Sequence, residues 1–389
     1  MKKPLVAVVF GSRSTEHDIS ILTAIGSVIK PLELAKSYDV LPVYIAKDGR
    51  WYAHQRLSDI TLYQSGKLDA FLAKLRPVAV RLGKGLTLVR QSGFGKKEMN
   101  IDVVFPTTHG THGEDGELMA ICEMAGVPYV GCDVESSVIA MDKVLAKQVA
   151  AAAGIPTATY VAFSKQAYEG APDDWLKQAA SLNFPVFVKP AHLGSSIGIT
   201  RVARKKDLAN AIEVALHYDT KALVEEAVQN LVEVTLPIMG NDEPRAALLE
   251  QPLLKSEDFF DFETKYMQGG KKGKGGAKSG KQGAQGYSII PADLPAKMYE
   301  TAEQTGLAVY RALGCSGMAR VDMLIDTKTE RVYFNEVNPL PGSLYAHNWA
   351  KAGVSNVQLV IQLIQLAQAR WEARQKVTTA FTSSYLQQF

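Results

Sequence analysis

The chain has 389 residues and a mass of 42.3 kDa, which is enough for two or three domains. Apolar residues make up 47% of it and charged residues 21%, which excludes a mainly disordered protein. The net charge of +3 would be −2 without five lysines of one short stretch, so the body is not a basic nucleic-acid-binding surface.

The cysteine content and the apolar runs indicate the compartment. Three cysteines are too few for a disulfide framework, so we expect a reducing, cytoplasmic environment. The first apolar run ends at Gly11, which is too short for a signal peptide and instead predicts a buried strand. The sequence contains no apolar stretch of the roughly 18 residues that a membrane-spanning helix needs.

The N-terminal third alternates between apolar strands and helical patterns. Strands are predicted at residues 5–10, 40–45 and 103–105, and helices at residues 19–29 and 117–125. This alternation predicts an α/β fold with a parallel sheet that has helices on its faces. Between these elements, residues 78–82 and 86–90 predict a hairpin that turns at Gly83–Gly85.

The middle of the chain contains the clearest helical pattern, at residues 137–153. Ser136 or Ser137 is predicted to cap it, and Gly154 with Pro156 to end it. The predicted buried stripe lies away from Lys143 and consists of Val138, Met141, Leu145 and Val149. Lys143 is therefore free to face a ligand or water.

The last part of the chain predicts strands at residues 186–189, 319–325 and 332–337 and a helix at about 355–375. A turn at residues 326–330 joins the last two strands. Residues 268–286 differ in kind, because they contain eight glycines and no large apolar residue. Such a composition cannot form a core, and it predicts a mobile loop within a domain.

A glycine-rich segment follows the strand that ends near Lys189. Backbone N–H groups of the loop Gly194-Ser195-Ser196-Ile197-Gly198 can surround an anion, and the lysine adds a positive charge. This pattern suits phosphate binding. The alternative is a surface turn beside a solvated lysine.

The predicted strand pair near the end of the chain carries charged residues in alternation. If the strands pair with matching parity, Arg320, Asp322, Glu336 and Asn338 converge on one face. Two carboxylates in contact repel by about 1 kcal/mol in water and by about 4 kcal/mol at an effective dielectric constant of 20, and a divalent cation removes that cost. The oxygen ligands suit Mg²⁺. The alternative is a salt-bridged hairpin facing solvent.

Two loops join strands to helices in the predicted parallel sheet. His109 follows one strand at its carboxyl end, where ligands gather in α/β sheets. Glu16 lies in the loop after the first strand, which lacks the G-x-G-x-x-G pattern of dinucleotide sites, and it could hold a substrate amine. The alternatives are a structural turn for His109 and a helix-terminal carboxylate for Glu16.

Taken in chain order, these segments resemble the D-alanine–D-alanine ligases of the ATP-grasp superfamily. The resemblance is carried by Phe-Gly-x-x-Ser-x-Glu-His-x-Ile-Ser (10–20), His-Gly-x-x-Gly-Glu-Asp-Gly (109–116), Met-Asp-Lys (141–143), Val-Lys-Pro-x-x-x-Gly-Ser-Ser-x-Gly (188–198), Lys-Tyr (265–266), Arg-Val-Asp (320–322) and Asn-Glu-Val-Asn-Pro-x-Pro-Gly (335–342). It implies a three-domain ATP-grasp fold with a Rossmann-like N-terminal domain at 1–140, a central domain at 141–226 and a C-terminal domain at 227–389. A long lid loop would cover residues 261–290.

The resemblance also implies ligands for ATP and for metal ions. ATP would be bound by Lys143, Lys189, Ser196, Glu225, Val228, Glu233 and Lys265, with the lysines at the phosphates and the two acids at the adenine amino group and the ribose. Two Mg²⁺ ions, with Mn²⁺ as an alternative, would be held by Asp322, Glu336 and Asn338.

The implied reaction has two steps. The carboxylate of one D-alanine attacks the γ-phosphate to form an acylphosphate, and the amine of a second D-alanine then displaces phosphate. Glu16, Ser195 and Tyr266 would form a trio around the first D-alanine with His109 nearby, and Arg320 and the Gly342 N–H would stabilise the oxyanion. Because water destroys an acylphosphate, a closing lid is expected.

Two features depart from the family pattern. The Gly/Lys-rich stretch makes the lid longer than usual. After Asn338 the chain lacks the usual threonine- and serine-rich segment, so Ser343 or His347 would bind the carboxylate of the acceptor.

A ligase for D-lactate or another amino acid as the acceptor therefore stays open as an alternative, although Tyr266 favours a dipeptide product. An ATP-grasp carboxylase and a non-catalytic ATP-binding module are the more distant alternatives. The family also suggests a homodimer with small-molecule substrates, cell-wall precursor synthesis, and no nucleic-acid or membrane partner.

Overall fold

A computed structural model describes residues 3–92, 95–253, 288–378 and 383–388. The predicted lid residues Lys265 and Tyr266, and the whole of the stretch 268–286, lie outside these ranges. Among the described helices, none has both the length and the apolar character needed to cross a membrane.

The N-terminal region contains the predicted α/β sheet. Its strands are Leu5–Gly11 (β1), Asp39–Ile45 (β2), Trp51–Ala53 (β3), Val78–Gly83 (β4), Gly85–Ser92 (β5), Gly95–Ile101 (β6) and Val103–Pro106 (β7). β1 pairs in parallel with β2 and β7, and β3 adds an antiparallel edge, in the order β3-β2-β1-β7. The predicted hairpin forms β4 and β5 of a separate antiparallel sheet. The three predicted parallel strands are therefore confirmed.

The helices of this region lie around the parallel sheet. They are His17–Leu22 (α1), Lys30–Ala35 (α2), Ile60–Gln64 (α3), Leu68–Leu72 (α4), Glu117–Ala125 (α5) and Val134–Met141 (α6), with a 3₁₀ turn at Gln55–Ser58. The helix predicted at 19–29 begins two residues earlier, and its second half, Thr23–Ile29, is a π-helical segment that continues into α2. The helix predicted at 117–125 is confirmed.

The single helix predicted at 137–153 is wrong, because two helices occupy that stretch. α6 ends at Met141, and the next helix, Lys143–Ala152 (α7), begins after Asp142. Asp142 has extended backbone angles, and its carboxylate accepts hydrogen bonds from the N–H groups of Val144 and Leu145, so it starts a new helix. Asp133, rather than Ser136 or Ser137, caps the first helix.

The predicted buried stripe of this stretch is also wrong. Val138 is 47% exposed, and Met141, Leu145 and Val149 are only partly buried. The fully buried positions of α7 instead include Lys143 and Lys147. These two lysines are four residues apart and therefore lie on one face, which packs against carboxylates of other elements.

The central region is a four-stranded antiparallel sheet with helices. Its elements are Tyr160–Ser164 (β8), Lys165–Gly170 (α8), Pro172–Ala179 (α9), Val186–Pro190 (β9), Thr200–Val202 (β10), a 3₁₀ turn at Lys205–Asp207, Leu208–Tyr218 (α10) and Lys221–Glu226 (β11). The strand order is β10-β9-β11-β8. The apolar face of α10 packs with the buried side chains of β9 and β11. This packing fixes the strand that ends at Lys189 and Pro190.

The C-terminal region contains a second antiparallel sheet. Its elements are Leu231–Gly240 (β12), Arg245–Ala246 (β13), Gln251–Pro252 (β14), Ser288–Ile289 (β15), Ala296–Ala312 (α11), Gly317–Asp326 (β16), Arg331–Asn338 (β17), a 3₁₀ turn at Gly342–Tyr345, Ala346–Lys351 (α12), Asn356–Gln375 (α13) and a 3₁₀ turn at Tyr385–Gln388. The main sheet has the order β13-β12-β16-β17. The buried residues of α13 share one core with β1 and α2, so the end of the chain packs on the N-terminal region.

Candidate active site

The hairpin of β16 and β17 brings the four predicted polar residues together. Arg320 lies opposite Asn338, and Asp322 lies opposite Glu336. The Arg320 guanidinium donates to both oxygens of Asp322, at 2.7 and 2.6 Å, and the Asn338 amide donates to Asp322 at 3.2 Å. Although burial opposes a charged guanidinium, the adjacent Asp322 carboxylate outweighs it and raises the pKa of Arg320.

The same hairpin has the ligand chemistry that Mg²⁺ requires. Asp322 and Glu336 share one face on neighbouring strands, which lie about 4.8 Å apart in a sheet. Asn338 adds an amide oxygen beside them. Two carboxylates and one amide oxygen form a hard oxygen set, so these residues fit a divalent cation.

Lys143 connects this hairpin to the glycine-rich loop of the central region. Its ammonium group lies 3.2 Å from the Glu336 carboxylate and donates to the Leu193 carbonyl at 2.7 Å. Its own backbone N–H donates to the Ala191 carbonyl at 3.0 Å. The first turn of α7, the loop and the hairpin therefore meet at one side chain.

Lys189 and Glu225 lie beside them in a buried cluster of charges. Lys189 donates to one oxygen of Glu225, and Lys147 lies 3.0 Å from the other oxygen. Burial favours the neutral acid, but the charges of the two lysines outweigh it and lower the pKa of Glu225 to about 2. Burial opposes the charged form of Lys189, but Glu225, and to a smaller extent Glu336 and Glu233, outweigh it and raise the pKa of Lys189. Lys147 was not among the predicted residues, although its spacing from Lys143 is a detectable signal.

The glycine-rich loop also reaches the N-terminal region. Ser195 donates a hydrogen bond from Oγ to Glu16, which is buried just before α1. Ser195 and Ser196 both have left-handed backbone conformations, with φ of 53° and 59°. A Cβ at Gly194 would lie 3.3 Å from Glu16. The loop thus approaches Glu16 closely, and two members of the predicted trio are in direct contact.

His109 is buried and lies close enough to Glu16 to feel its charge. Its Nε2 is 2.9 Å from Thr23 Oγ1, and Thr23 in turn accepts the Ser343 backbone N–H at 3.0 Å. Burial lowers the pKa of His109 despite the nearby Glu16 charge, so the neutral imidazole is favoured. Thr23 therefore connects His109 to Ser343, and the sequence did not indicate this contact.

Two family models match the chain. The model described as D-ala D-ala ligase N-terminus matches residues 5–132, and the model described as D-ala D-ala ligase C-terminus matches residues 149–365. The D-alanine–D-alanine ligase of Clostridium acetobutylicum is 36% identical over 375 residues, which covers 95% of this chain and 99% of that protein. The chain belongs to the D-alanine–D-alanine ligase family.

Other relatives of this ligase family member are similar over nearly its whole length. The D-alanine–D-alanine ligase of Caldicellulosiruptor bescii is 36% identical and covers 94% of this chain and 96% of that protein. The solved structure of the VanG D-Ala:D-Ser ligase from Enterococcus faecalis is 32% identical, with a TM-score of 0.75, and covers 94% and 100% of the two chains. The D-alanine-D-alanine ligase of Coxiella burnetii is 27% identical, with a TM-score of 0.76 and 97% coverage of both chains.

In this ligase, the segment after β17 has an unusual backbone. Ser343, Leu344 and Tyr345 are consecutive left-handed residues, with φ of 53°, 55° and 50°. For residues other than glycine this conformation costs roughly 1–2 kcal/mol each. The Tyr345 ring lies 5.0 Å from the Arg320 guanidinium, and its hydroxyl is 3.4 Å from Thr235. Gly342 starts the turn that contains these three residues, and Tyr345 brings the strained segment against Arg320.

A buried carboxylate extends the row of polar residues on this face of the ligase's C-terminal sheet. Thr235 is the register partner of Asp322 and forms a bridge with Glu250. Glu250 lies 2.9 Å from His347 Nε2 and 3.2 Å from the Asn348 amide. Burial raises the pKa of Glu250, but its hydrogen bond with His347 outweighs this and lowers it. The sequence analysis missed Glu250, although a lone acid in the apolar run 246–250 is a signal for it.

The remaining predicted residues of the ligase occupy several elements. Ser196 lies in the loop beside Ser195, Val228 follows β11, and Glu233 lies opposite Leu324 on the neighbouring strand. Lys265 and Tyr266 lie outside the described residues. Of the residues that the structure does describe, those predicted for phosphate, metal and first-substrate binding surround one region between the three parts of the chain.

Proposed function

We propose that this ligase joins two D-alanine molecules into D-alanyl-D-alanine at the expense of ATP, as a step of peptidoglycan precursor synthesis. The observation that carries the proposal is one connected network. Lys143 bonds both Glu336 of the metal-type hairpin and Leu193 of the glycine-rich loop, and Ser195 of that loop bonds Glu16. A nucleotide phosphate and an amino-acid carboxylate held by these groups are brought within reach of each other.

The first step is transfer of the γ-phosphate to the carboxylate of the first D-alanine. In our proposal Glu16 and Ser195 hold the ammonium group of that substrate, and Lys143 and Lys189 bind the phosphates. Asp322, Glu336 and Asn338 would hold two Mg²⁺ ions, which neutralise phosphate charge when bound. For this, Asp322 must exchange its present contacts with Arg320 for the cation.

The second step is attack of the second D-alanine's amine on the acylphosphate, with loss of phosphate. Arg320 and the Gly342 N–H are proposed to stabilise the oxyanion, because the guanidinium keeps its charge in a partly buried place. His109 is held in the neutral form and can accept or donate a hydrogen bond beside the first substrate. Ser343 or His347 would bind the carboxylate of the acceptor.

The same proposal includes ATP binding through Ser196, Glu225, Val228, Glu233 and Lys265, and a lid that carries Tyr266. The three cysteines are buried and unpaired, which supports a cytoplasmic location. A homodimer is proposed from the family resemblance. The roles of Lys265 and Tyr266 are proposed from their sequence motif alone.

A second candidate acceptor is suggested by one of the solved structures that the chain resembles. The similar protein from Enterococcus faecalis is named a D-Ala:D-Ser ligase. D-serine is therefore the alternative second substrate that the proposal must be tested against.

The test is ATP-dependent phosphate release with D-alanine alone, followed by mass spectrometry of the product. We expect phosphate and D-alanyl-D-alanine in equal amounts. Mixtures of D-alanine with D-serine or D-lactate then give the acceptor preference by competition. Phosphate release only in the presence of a second compound would contradict D-alanine as the acceptor, and no release with any of them would contradict the ligase reaction.

A further inference from the structure

A buried cluster contains two lysines in contact with a single glutamate, although one lysine would be enough to balance the charge of that carboxylate. Lys147 is 1% exposed, Glu225 is 1% exposed and Lys189 is 8% exposed. Lys189 binds one carboxylate oxygen of Glu225, and Lys147 lies 3.0 Å from the other. Lys147 also lies 6.0 Å above the Phe334 ring, which closes the far side.

A buried cation is costly, so a second lysine on one carboxylate calls for an explanation. Burial lowers the pKa of Lys147, since the neutral amine is easier to keep out of water, and Glu225 opposes this effect. A pair of Lys189 and Glu225 would already be neutral. Lys147 gives these three groups a net positive charge, on which the charges of Glu336 and Glu233 also act, in a place that ordinary packing would fill with an apolar side chain.

The extra cation has a use once a nucleotide binds. This step rests on the proposed function, in which Lys189 binds a phosphate and Glu225 accepts a hydrogen bond from the adenine amino group. A phosphate competes with Glu225 for Lys189, because both are anions and Lys189 is the group they share. If Lys189 turned to the phosphate, Glu225 would lose one partner and gain a free oxygen.

Without Lys147, that carboxylate would then be buried with no neighbouring cation in contact. Such a group takes up a proton, and a protonated acid donates a hydrogen bond where the adenine amino group needs an acceptor. Lys147 contacts the oxygen that does not face Lys189, so it can stay in place throughout.

We propose that Lys147 is a positioning residue that keeps Glu225 ionised and oriented when a nucleotide takes Lys189, and that it thereby sets the preference for adenine over a keto purine. Hypoxanthine carries a keto oxygen where adenine carries its amino group, so it requires a donor at the same place. Among the residues that the structure describes, the charged and titratable groups that act on the trio are Tyr160, Glu233 and Glu336.

The experiment compares kcat/KM for ATP and for inosine triphosphate in the wild-type chain and in Lys147→Met, from pH 6 to pH 9. Methionine fills a similar volume without the charge. At the acid end we expect the ATP preference to fall by about tenfold in the variant. This corresponds to burial without a contacting cation raising the pKa of Glu225 to about one unit above the assay pH, where only about a tenth of the carboxyl group is ionised. Raising the pH should restore it, and the wild-type ratio should stay level.

A double-mutant cycle separates this role from a structural one. Glu225→Gln has no charge to maintain, so adding Lys147→Met to it should leave the nucleotide ratio unchanged and pH-independent. Lys147→Arg keeps the charge and should keep the ATP preference. Lys165→Met, which removes an exposed lysine of the same region, is the control and should leave the wild-type ratio unaltered.

An unchanged nucleotide ratio in Lys147→Met at every pH would overturn the inference, as would an equal effect in the Glu225→Gln background. If Lys147→Met is unfolded by circular dichroism, Lys147→Gln takes its place in the same cycle. Failure of the proposed function is distinguishable, because the wild-type chain would then use neither nucleotide with D-alanine.

Discussion

The β16–β17 hairpin and helix α7 both supply charged side chains to one site, but their sequences indicate this differently. In the hairpin, Arg320 and Asp322 share one face while Val321, Met323 and Ile325 are fully buried on the other. Alternation with a period of two therefore gives each side chain its direction. A β-bulge between Asp322 and Met323 then shifts the register by one residue, so that Glu336 rather than Asn335 lies opposite Asp322.

In α7 the same reasoning fails, because the buried face of the helix carries two lysines beside its small apolar residues. Lys143 and Lys147 are buried against Glu336 and Glu225, while Leu145 is only partly buried. An apolar stripe identifies the inner face of a helix only where that face packs against apolar groups. Where carboxylates of other regions cover a helix, the buried face is basic, and only the four-residue spacing of the lysines marks it.

The largest expected effect concerns the hairpin. Asp322→Asn keeps the shape but removes a charge from the proposed metal site, so we expect kcat for phosphate release to fall by at least about 100-fold. The assay uses saturating Mg²⁺ and ATP. Asp326→Asn, at the far end of the same strand, is the matched control and should stay near the wild-type rate. Near-wild-type turnover of Asp322→Asn would contradict the metal assignment.

A smaller effect is expected in the helix. Lys143→Met removes a charge-assisted hydrogen bond to the Leu193 carbonyl and the ion pair with Glu336, so kcat/KM for ATP should fall by about tenfold or more. Steady-state kinetics at varied ATP measure this. Gln148→Met, on the exposed face of the same helix, should leave the value unaltered. Equal kinetics for the two variants would show that the basic face of α7 does not bind the nucleotide.

A third effect concerns the stability of the loop after β9, which contacts the start of α7 through His192. His192 lies between Asp142 and Asp219, whose hydrogen bonds raise its pKa from 6.5 to about 9. Lys221 also contacts Asp142. Because the pKa of His192 is higher in the folded state than in the unfolded state, its protonation stabilises the fold. This contribution is complete below pH 6.5 and is lost as the pH rises through about 9.

Replacing this histidine should therefore change the pH dependence of unfolding. We expect His192→Gln to lower the free energy of unfolding by roughly 1 kcal/mol at pH 6, after allowance for solvent screening, and to have little effect at pH 10. Denaturant unfolding at the two values measures the difference. A penalty that is the same at both would mean that the histidine acts only through packing.

The smallest effect is expected at Glu114, whose buried carboxyl group is favoured in its neutral form. Burial, and then the nearby Glu16 charge, raise the pKa of Glu114 well above its ordinary value of 4.5, which favours the neutral acid. Its Oε1 accepts the Gly110 N–H at 2.8 Å, as a glutamine oxygen can. Glu114→Gln should therefore change stability by less than about 0.5 kcal/mol at or below pH 4.5, where the glutamate of the unfolded wild-type chain is also largely protonated.

The stability difference between the wild-type chain and Glu114→Gln should depend on pH. Because an unfolded glutamate ionises above pH 4.5 more readily than the buried one, the wild-type chain should lose stability relative to Glu114→Gln as the pH rises. Unfolding measured at several pH values tests this. A variant that becomes relatively less stable with rising pH would contradict the buried neutral acid.

These contrasts explain how much of the molecule the sequence could indicate. The parallel strands, the hairpin and the last helix follow from local periodicity. The pairing of Asp322 with Glu336 also needs the register shift between Asp322 and Met323, which the alternation of side chains does not indicate. The break at Asp142 could not be predicted from the apolar pattern, because one carboxylate that caps a helix interrupts an otherwise continuous signal. Long-range contacts such as Ser195–Glu16 and Thr23–Ser343 join segments far apart in the chain, so no local pattern contains them.

The measurement that tests the central claim most directly follows the oxygen atoms. D-alanine labelled with heavy oxygen in its carboxylate is supplied with ATP and Mg²⁺, and phosphate and product are analysed by mass spectrometry. The account predicts one labelled oxygen in each released phosphate and three of the four carboxylate labels in D-alanyl-D-alanine. Unlabelled phosphate would mean that the carboxylate does not attack the γ-phosphate, and would contradict the assembly of Lys143, Ser195 and Glu16 around that step.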